Sequence, residues 1–346
     1  MKIKVLVLGY FGYANHQLDG QTVKTRNVYD LLKTREDEIG TISYFDTQQF
    51  QQSKLSVLKM FSAVLKCDKL IYLPAHSNLK YIFPFLFVLS RLKRIDIVYI
   101  VIGGWLAEYL QTKGLHIRML SKVKAILTES EQLSKKLAVR YQFQNAETFP
   151  NFRLHNFVPT FQKKPKSFKI VFMARIFREK GVDTVFRLAD HLQKAYGDGH
   201  PFVIDFYGPI QNDEKEYFLN ELQKFDFTKY KGILEPERIY STLEQYDILV
   251  FPSRFSDEGF PGTLMDAYIS GLPVITSNWR FLPEYVDHGC SGYLFDLDKE
   301  NDFYAYVEQL YRDNDQLMKM KHCAFAKSKA YSSESAWKIL KRHLTT

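Results

Sequence analysis

Two carboxylates flank a glycine- and proline-rich stretch in the second half of the sequence. Glu258 and Asp266 lie eight positions apart in SDEGFPGTLMDAYISG, residues 256–271. Glycine and proline at this density indicate a backbone that turns sharply or comes close to another group. A helix that begins near Gly262 would offer free backbone N–H groups, which favour an anion by about 0.3 to 2 kcal/mol. The two carboxylates could then face one ligand, or they could simply complement the helix N-terminus.

Two cations follow another apolar run. In FMARIFREKGVDT, residues 172–184, Arg175 leaves the end of a predicted strand and Lys180 comes five positions later, just before a predicted helix. Arginine provides a planar fork and lysine a point charge, which together suit a diphosphate. The alternative is two solvated surface cations, which are common in a chain with a formal charge of +8.

A third stretch, GYFGYANHQLDGQTVKTRNVYDLL, follows the first apolar run and contains Gly9, Gly12 and Gly20. It matches neither the dinucleotide-binding G-x-G-x-x-G pattern nor a P-loop. A helix that begins near Gln21 could still bind phosphate through its backbone N–H groups. A plain strand-to-helix connection explains the glycines equally well.

The elements that position these residues repeat along the chain. Short apolar runs alternate with helical patterns, which predicts an α/β protein with parallel sheets covered by helices. Residues 150–169 contain three prolines and no periodicity, so they indicate a linker between two domains. The prediction is two Rossmann-like, doubly wound domains that face a cleft. Their bounds are 1–155 for the first domain, 156–168 for the linker, 169–330 for the second domain and 331–346 for a terminal helix that packs on the first.

Composition excludes several classes. With 46% hydrophobic and 25% charged residues, the chain is typical of a globular protein. Its three cysteines, Cys67, Cys290 and Cys323, fit a reducing cytoplasm and predict core fillers rather than disulfides. The positive charge attracts anions, but no arginine-rich run or zinc-finger spacing indicates nucleic acid. The apolar N-terminal run reads as a buried strand rather than a short signal peptide.

An apolar segment at residues 81–89, followed by the basic RLKR at 91–94, has two readings. It is far shorter than the roughly 20 residues of a membrane span. It could be a buried helix. It could also be a patch that faces an anionic membrane, because aromatic and aliphatic residues beside basic ones suit that interface.

Taken together, these motifs resemble those of a GT-B fold glycosyltransferase of retaining family 4, also called glycosyltransferase group 1, of the bacterial capsule and exopolysaccharide type. The E-x7-E signature of that family is similar to Glu258-GFPGTLM-Asp266, and its R…EKG pattern is similar to Arg175 with the EKG at 179–181. The resemblance spans almost the whole chain. Weaker matches are Leu18-Asp19-Gly20, Ser130, Asn151, Gly208 and Gly232.

The resemblance implies a role for each matched residue. Arg175 and Lys180 would bind the nucleotide diphosphate and stabilise charge on the leaving group. Glu258 would bind hydroxyls of the donor sugar, and Asp266 those of the ribose. Other donor contacts would come from Gly259, Phe260, Pro261, Gly262 and Thr263 at the sugar and phosphate, from Gly208, Gly232 and Ile233 at the base and ribose, and from Gly20 at the diphosphate.

Three positions bear on how the family pattern applies. Asp266 stands where the family usually has glutamate, one methylene longer. Gly103 and Gly104 stand where many members have a histidine near the donor sugar, and His76 could substitute for it or be an ordinary polar residue. Asp296-x-Asp298 is similar to a metal-binding motif, but Asp298 also fits the N-cap of a helix near 299–312. The resemblance implies no metal and no cofactor.

The implied enzyme is a metal-independent hexosyl- or related transferase. It would move a sugar from a UDP-sugar, or alternatively a GDP-sugar, to a lipid-linked glycan in surface polysaccharide synthesis. Its partners would be the nucleotide sugar, the glycan acceptor and an anionic membrane at the inner face of the cell membrane, without nucleic acid. Two alternatives stay open: a catalytically silent glycan-binding or partner-stabilising subunit, and a sugar-nucleotide 2-epimerase.

Overall fold

The structure is a computed structural model that describes residues 3–15, 19–161 and 167–345. The chain forms two compact units, Met1–Leu154 with Tyr331–Thr346, and His155–Ala330. Each unit contains one six-stranded parallel sheet. The predicted α/β class with two parallel sheets is therefore confirmed. Residues 162–166 of the predicted linker lie outside the described residues, as does Leu18.

The first sheet has the strand order β2-β1-β3-β4-β5-β6. The chain moves outward from β1 to β2 and then returns to the other side of β1, which makes a topological switch point between β1 and β3. Its strands are β1 (Ile3–Gly9), β2 (Gly40–Asp46), β3 (Lys69–Leu73), β4 (Asp96–Ile100), β5 (Ala125–Thr128) and β6 (Ala146–Thr148). The helices of this part of the chain are α1 (Gly20–Lys33), α2 (Glu36–Ile39), α3 (Gln49–Gln52), α4 (Ser56–Val64), α5 (His76–Tyr81), α6 (Phe83–Lys93), α7 (Leu106–Tyr109), α8 (Gly114–Leu120) and α9 (Glu131–Tyr141).

The second sheet repeats this plan with the order β12-β11-β10-β7-β8-β9, so its switch point lies between β7 and β10. Its inner strands are almost fully buried apolar runs, as expected when helices cover both faces. The strands are β7 (Phe168–Met173), β8 (Phe202–Tyr207), β9 (Thr228–Tyr230), β10 (Ile248–Phe251), β11 (Val274–Ser277) and β12 (Gly292–Phe295). The helices are α10 (Val182–Tyr196), α11 (Lys215–Leu222), α12 (Ile239–Leu243), α13 (Gly262–Ile269), α14 (Glu300–Arg312) and α15 (Asn314–Ser328).

The last helix, α16 (Ser333–Leu344), belongs to the first unit. Ser332 caps it by accepting a hydrogen bond from the backbone N–H of Ser335. Its buried face, which includes Trp337 and Leu340, packs in the same core cluster as the α1 residue Leu32. The predicted return of the terminal helix to the first domain is thus confirmed.

The cysteines differ from the expectation. Cys290 and Cys323 form a disulfide with their Cα atoms 5.6 Å apart. Neither residue is buried, because Cys290 lies in an exposed turn and Cys323 on a half-exposed side of α15. The prediction that all three cysteines fill the core is therefore wrong for this pair. Cys67 alone is a buried free thiol among the described residues, and burial raises its pKa to about 12.

None of the helices within the described residues combines the length and apolar character needed to cross a bilayer.

Candidate functional site

The carboxyl ends of β7 and β8 bring three predicted residues to one edge of the second sheet. Arg175 lies two residues beyond β7, and Gly208 directly follows β8. Gly208 adopts a φ of +131°, and a Cβ there would lie 1.9 Å from the carbonyl oxygen of Ala174. Its N–H donates to the carbonyl of Gly232 at 2.9 Å. Only glycine permits this close approach beside Arg175.

A buried ion pair joins two of the predicted residues. The Nζ of Lys180 lies 2.6 Å from Oε2 of Glu258, and the side chains are only 11% and 7% exposed. The hydroxyl of Ser253, which follows β10, donates to the same oxygen at 2.6 Å. The Lys180 ammonium also lies 4.7 Å from the ring centroid of Phe255, a cation–π contact. The sequence predicted both residues as ligand contacts but not their contact with each other.

The glycine of the EKG motif explains how Lys180 reaches this position. Gly181 ends the 3₁₀ turn Arg178–Lys180 with a φ of +85° and leads directly into α10. A Cβ at this position would lie 2.1 Å from the carbonyl oxygen of Pro252. The 3₁₀ turn that contains Lys180 therefore packs against the backbone at the end of β10. Ser253 lies there, and the loop that carries Glu258 begins there.

Gly181→Ala should lower the free energy of unfolding of this unit by about 3 kcal/mol. The left-handed backbone costs about 1 to 2 kcal/mol for an L side chain, and the collision with Pro252 adds to it. Gly289→Ala is the matched control, because Gly289 has a φ of +81° but nothing lies within 4 Å of its Cβ position. Urea unfolding of both variants checks this, and equal losses would show that the contact with Pro252 contributes nothing.

The loop between β10 and α13 is held by contacts that the sequence did not predict. The guanidinium of Arg254 donates two hydrogen bonds to Asp183 on α10, at 3.1 and 2.8 Å. Burial alone would raise the pKa of Asp183, but Arg254 and Arg187 hold it below its usual value. The indole of Trp279 donates to the carbonyl of Phe255 at 2.9 Å. No short-range spacing signals these pairs, because their members lie 71 and 24 residues apart.

At the end of this loop, α13 begins with free polar groups. Pro261 occupies the N-cap position and provides no side-chain cap. The hydroxyl of Thr263 is buried and has no hydrogen-bond partner within the described residues. Phe260 is fixed by stacking on Tyr285, with ring centroids 3.9 Å apart. Asp266, one turn into the helix, is 4% exposed. The first turn of α13 is thus a ready anion site.

The glycines of the loop do not serve the turn itself. Neither Gly259 nor Gly262 has a positive φ. Their backbone conformation would accept other residues, so what they contribute is the absence of a side chain.

Two predicted residues are exposed at this edge. The guanidinium of Arg175 stacks on Phe177 at 5.4 Å and pairs with no carboxylate of the described residues. Ile233, which follows Gly232, is 59% exposed. The structure therefore gathers Lys180 and Glu258 in direct contact and leaves Arg175 available to a ligand.

The remaining predicted donor residue, Gly20, is in the first unit. It is the first residue of α1, where Asp19 acts as N-cap by accepting a hydrogen bond from the N–H of Thr22 at 2.9 Å. His76 begins α5 and packs its ring against Trp105 and Tyr109, with centroids 5.0 and 4.6 Å away.

The first unit also contains a polar cavity of about 360 Å³ at the carboxyl ends of β1, β2 and β3. Two side-chain atoms of its lining, Oγ1 of Thr47 and Nε2 of Gln21, are buried without a hydrogen-bond partner in the described residues. Thr47 as a whole is only 4% exposed. Buried polar atoms normally find partners, so these two indicate a ligand or water. The other lining residues are Tyr10, Asp19, Phe50, Gln51, Ala75, Ser77 and Asn78.

The metal-like DxD motif has a structural explanation. Asp296 accepts hydrogen bonds from Asn278 and Lys299. The expectation that Asp298 caps the next helix is wrong, because α14 begins one residue later than that role requires and Lys299 takes the N-cap position. Across the described residues, no group of three or more His, Cys, Asp or Glu side chains is placed to hold a metal ion.

Comparison with known proteins agrees with the two-sheet fold. One similar solved structure is that of Anabaena Alr3699/HepE in complex with UDP-glucose, with a TM-score of 0.74 over 99% of both chains and 14% sequence identity. At this identity the likeness shows the fold, which is that of the GT-B glycosyltransferases. The two-sheet architecture therefore recurs over 99% of a solved protein structure.

Sequence relatives match part of the chain. The amylovoran biosynthesis glycosyltransferase AmsK of Erwinia amylovora is 30% identical over 131 residues, 36% of this chain and 31% of AmsK. The D-inositol 3-phosphate glycosyltransferase of Paenarthrobacter aurescens is 26% identical over 174 residues, 47% of this chain and 42% of that protein. The chain thus matches less than half the length of these relatives. The family described as glycosyl transferases group 1 matches residues 156–327. The second domain of this chain thus belongs to the group 1 glycosyl transferases.

Proposed function

We propose that this protein is a retaining, family 4 glycosyltransferase that moves a hexose or related sugar from a nucleotide diphosphate sugar to a glycan. The favoured donor is a UDP-sugar, with a GDP-sugar as the alternative. The acceptor is a lipid-linked glycan of surface polysaccharide, such as capsule or exopolysaccharide, at the inner face of the cell membrane. Similarity to AmsK, an amylovoran biosynthesis glycosyltransferase, and to Anabaena HepE, whose structure contains UDP-glucose, supports this choice.

The buried pair of Lys180 and Glu258 is the observation that carries the proposal. A buried ion pair is a poor source of stability, because desolvation offsets most of the attraction. Its position at the switch point of the sheet is where such folds bind ligands. Lys180 has three N–H donors and Glu258 uses one of them, so two remain for phosphate oxygens. Glu258 is held in place by Lys180 and Ser253 while its Oε1 is left for sugar hydroxyls.

The reaction follows from the charge at this edge. The acceptor oxygen bonds to the anomeric carbon on the face from which the nucleotide departs, and the bond between that carbon and the phosphate oxygen breaks. The departing phosphate oxygen takes the acceptor's proton. Arg175 and Lys180 stabilise the charge that develops on the phosphate, together with the N–H groups at the start of α13. Gly259 and Gly262 let the backbone approach the sugar and phosphate.

We assign the acceptor sugar to the first unit. Its polar cavity lies at the carboxyl ends of strands and contains the Thr47 hydroxyl, which finds no hydrogen-bond partner among the described residues. A sugar can form hydrogen bonds with both donors and acceptors in such a cavity, since each sugar hydroxyl donates and accepts.

Thermal unfolding of the purified protein with UDP, GDP, ADP and CMP tests the proposal. A nucleotide at about 100 times its Kd should stabilise the fold by roughly 2.7 kcal/mol. We expect a rise with UDP, or with GDP in the alternative. The control is the double variant Arg175→Ala and Thr263→Val, which should reduce the response. No response to any nucleotide would contradict the enzyme assignment and favour a silent glycan-binding or partner-stabilising subunit.

Asp266→Asn should weaken donor binding about tenfold and change the turnover of bound donor much less. The carboxylate accepts hydrogen bonds from the ribose in both the ground state and the transition state. Its removal therefore weakens the binding of both states equally. Steady-state kinetics with varied donor would show a raised KM and a nearly constant kcat. An unchanged KM would refute the ribose role.

Transfer should continue at full rate in EDTA. The two cations and the α13 N-terminus provide the positive charge that a divalent ion supplies in other transferases. The measurement is the initial rate after dialysis against EDTA and after Mg²⁺ or Mn²⁺ is added back. Loss of activity that either ion restores would show a metal requirement.

A further inference from the structure

The helix α6 has an apolar surface on the side that points away from the core. Its inner residues Phe83 and Leu86 are buried. A surface helix normally presents polar residues on its other side. Here the outward positions are Tyr81, Phe85, Val88 and Leu92, which are 62%, 66%, 57% and 76% exposed. Their spacing of four, three and four residues places them on one face across the end of α5 and the length of α6.

Basic side chains border this face. Lys80, Arg91, Lys93 and Arg94 are all exposed. No carboxylate of the described residues pairs with Arg91, Lys93 or Arg94. The sequence from Lys69 to Ile95 contains no aspartate or glutamate. The face therefore combines exposed apolar side chains with uncompensated positive charge.

The combination of apolar and basic side chains favours an anionic bilayer over a protein as the binding partner of this face. A protein interface is typically depleted of lysine, and its charges are usually matched by the partner. An anionic bilayer accepts both parts of the surface, because apolar side chains enter the acyl boundary while lysine and arginine contact the headgroups. Tyrosine and phenylalanine also suit the level of the headgroups.

We propose that the exposed face of α5 and α6, formed by Tyr81, Phe85, Val88 and Leu92 with Lys80, Arg91, Lys93 and Arg94, docks onto an anionic lipid bilayer. The helix lies in the plane of the interface and does not cross it. Of the two readings of residues 81–94, we thus choose the membrane-facing patch. The use of this patch in transfer to a lipid-linked acceptor rests on the proposed function. The docking itself is independent of catalysis.

Cosedimentation with lipid vesicles tests the docking. The full-length protein is mixed with vesicles of phosphatidylcholine alone or of phosphatidylcholine with phosphatidylglycerol, at low and high NaCl. The wild type should bind the anionic vesicles and be released by salt, because salt screens the headgroup attraction. Binding to neutral vesicles should be far weaker.

Variants separate the two parts of the face. The triple variant Arg91→Gln, Lys93→Gln and Arg94→Gln should bind anionic vesicles about 100-fold more weakly, since each basic residue near such a surface contributes about 1 kcal/mol. The double variant Phe85→Ser and Leu92→Ser should lose at least about tenfold, from its lost apolar burial. These positions are exposed, so the variants should fold.

Matched controls exclude effects of net charge and of exposed apolar residues in general. Lys215→Gln, Lys319→Gln and Lys338→Gln remove the same charge from exposed lysines elsewhere. Val139→Ser removes an aliphatic side chain that is 84% exposed on α9. Both control variants should bind like the wild type. If they lose binding as strongly as the α6 variants, the proposed face is wrong.

Two further outcomes would overturn the proposal. One is no binding of the wild type to anionic vesicles. The other is a wild-type dimer that the double variant dissociates, measured by light scattering, which would assign the face to a second copy of the chain. Nucleotide-induced thermal stabilisation is measured in the same variants. Its retention alongside lost vesicle binding separates failure of docking from failure of the proposed function.

Discussion

Arg175→Ala should lower the rate of sugar transfer by about 100- to 1,000-fold without changing the melting temperature. Removing one preorganised donor from a developing charge typically costs this much. The structure adds the second half of the expectation, since Arg175 is exposed and pairs with no described carboxylate. Its side chain contributes little to folding, so activity and stability should separate.

The measurement combines initial rates at saturating donor with a thermal melt. Arg178→Ala is the matched control, because Arg178 is an exposed neighbour that pairs with Glu214. We expect a nearly normal rate in that variant. A full rate in Arg175→Ala would remove the leaving-group role on which the proposed reaction depends. A large fall in its melting temperature would instead indicate a structural role.

Lys180→Met should have the opposite signature, with transfer abolished and the free energy of unfolding lowered by about 3 to 5 kcal/mol. Breaking a buried ion pair leaves the other charge without its partner. Among the described residues, Glu258 would retain only the Ser253 hydroxyl as a donor to its Oε2. The loss of leaving-group stabilisation and the loss of fold stability thus come from one substitution.

A double-mutant cycle separates the two effects. The combined variant Lys180→Met and Glu258→Gln removes both charges, so its stability should recover most of the loss while transfer stays absent. Urea unfolding and transfer rates of the four proteins provide the cycle. Additive losses of stability would show that the 2.6 Å contact carries no coupling. Transfer that returns in the double variant would show that neither charge acts in catalysis.

The sequence predicted the fold well because buried parallel strands are continuous apolar runs. Of the twelve strands in the described part of the chain, ten coincide with such runs. The two that it missed, β6 and β9, are three residues long and lie at the edges of their sheets. The edge strands β2 and β12 keep apolar residues and were predicted, but β6 (AET) and β9 (TKY) contain no apolar run for periodicity to find. Only their pairing with a neighbouring strand defines them.

The candidate site was predictable in its members but not in its arrangement. Motif resemblance indicated Lys180 and Glu258, yet no local rule pairs residues that lie 78 positions apart. The same holds for Arg254 and Asp183, which fix the loop. Ser253 gave no signal at all, because a single serine after a strand is common. Such contacts appear only when parallel strands bring their carboxyl ends to one edge.

The return of α16 to the first unit also determines the order in which the chain can fold during synthesis. The second unit is one continuous segment and can close as soon as residue 330 has left the ribosome. The first sheet emerges earlier, but the core cluster that contains Leu32 still lacks Trp337 and Leu340. At typical synthesis rates it waits roughly 10 to 40 seconds for them. The domain made first is thus completed last. Until α16 is synthesised, its apolar face stays uncovered, and this is when a nascent chain would need a chaperone.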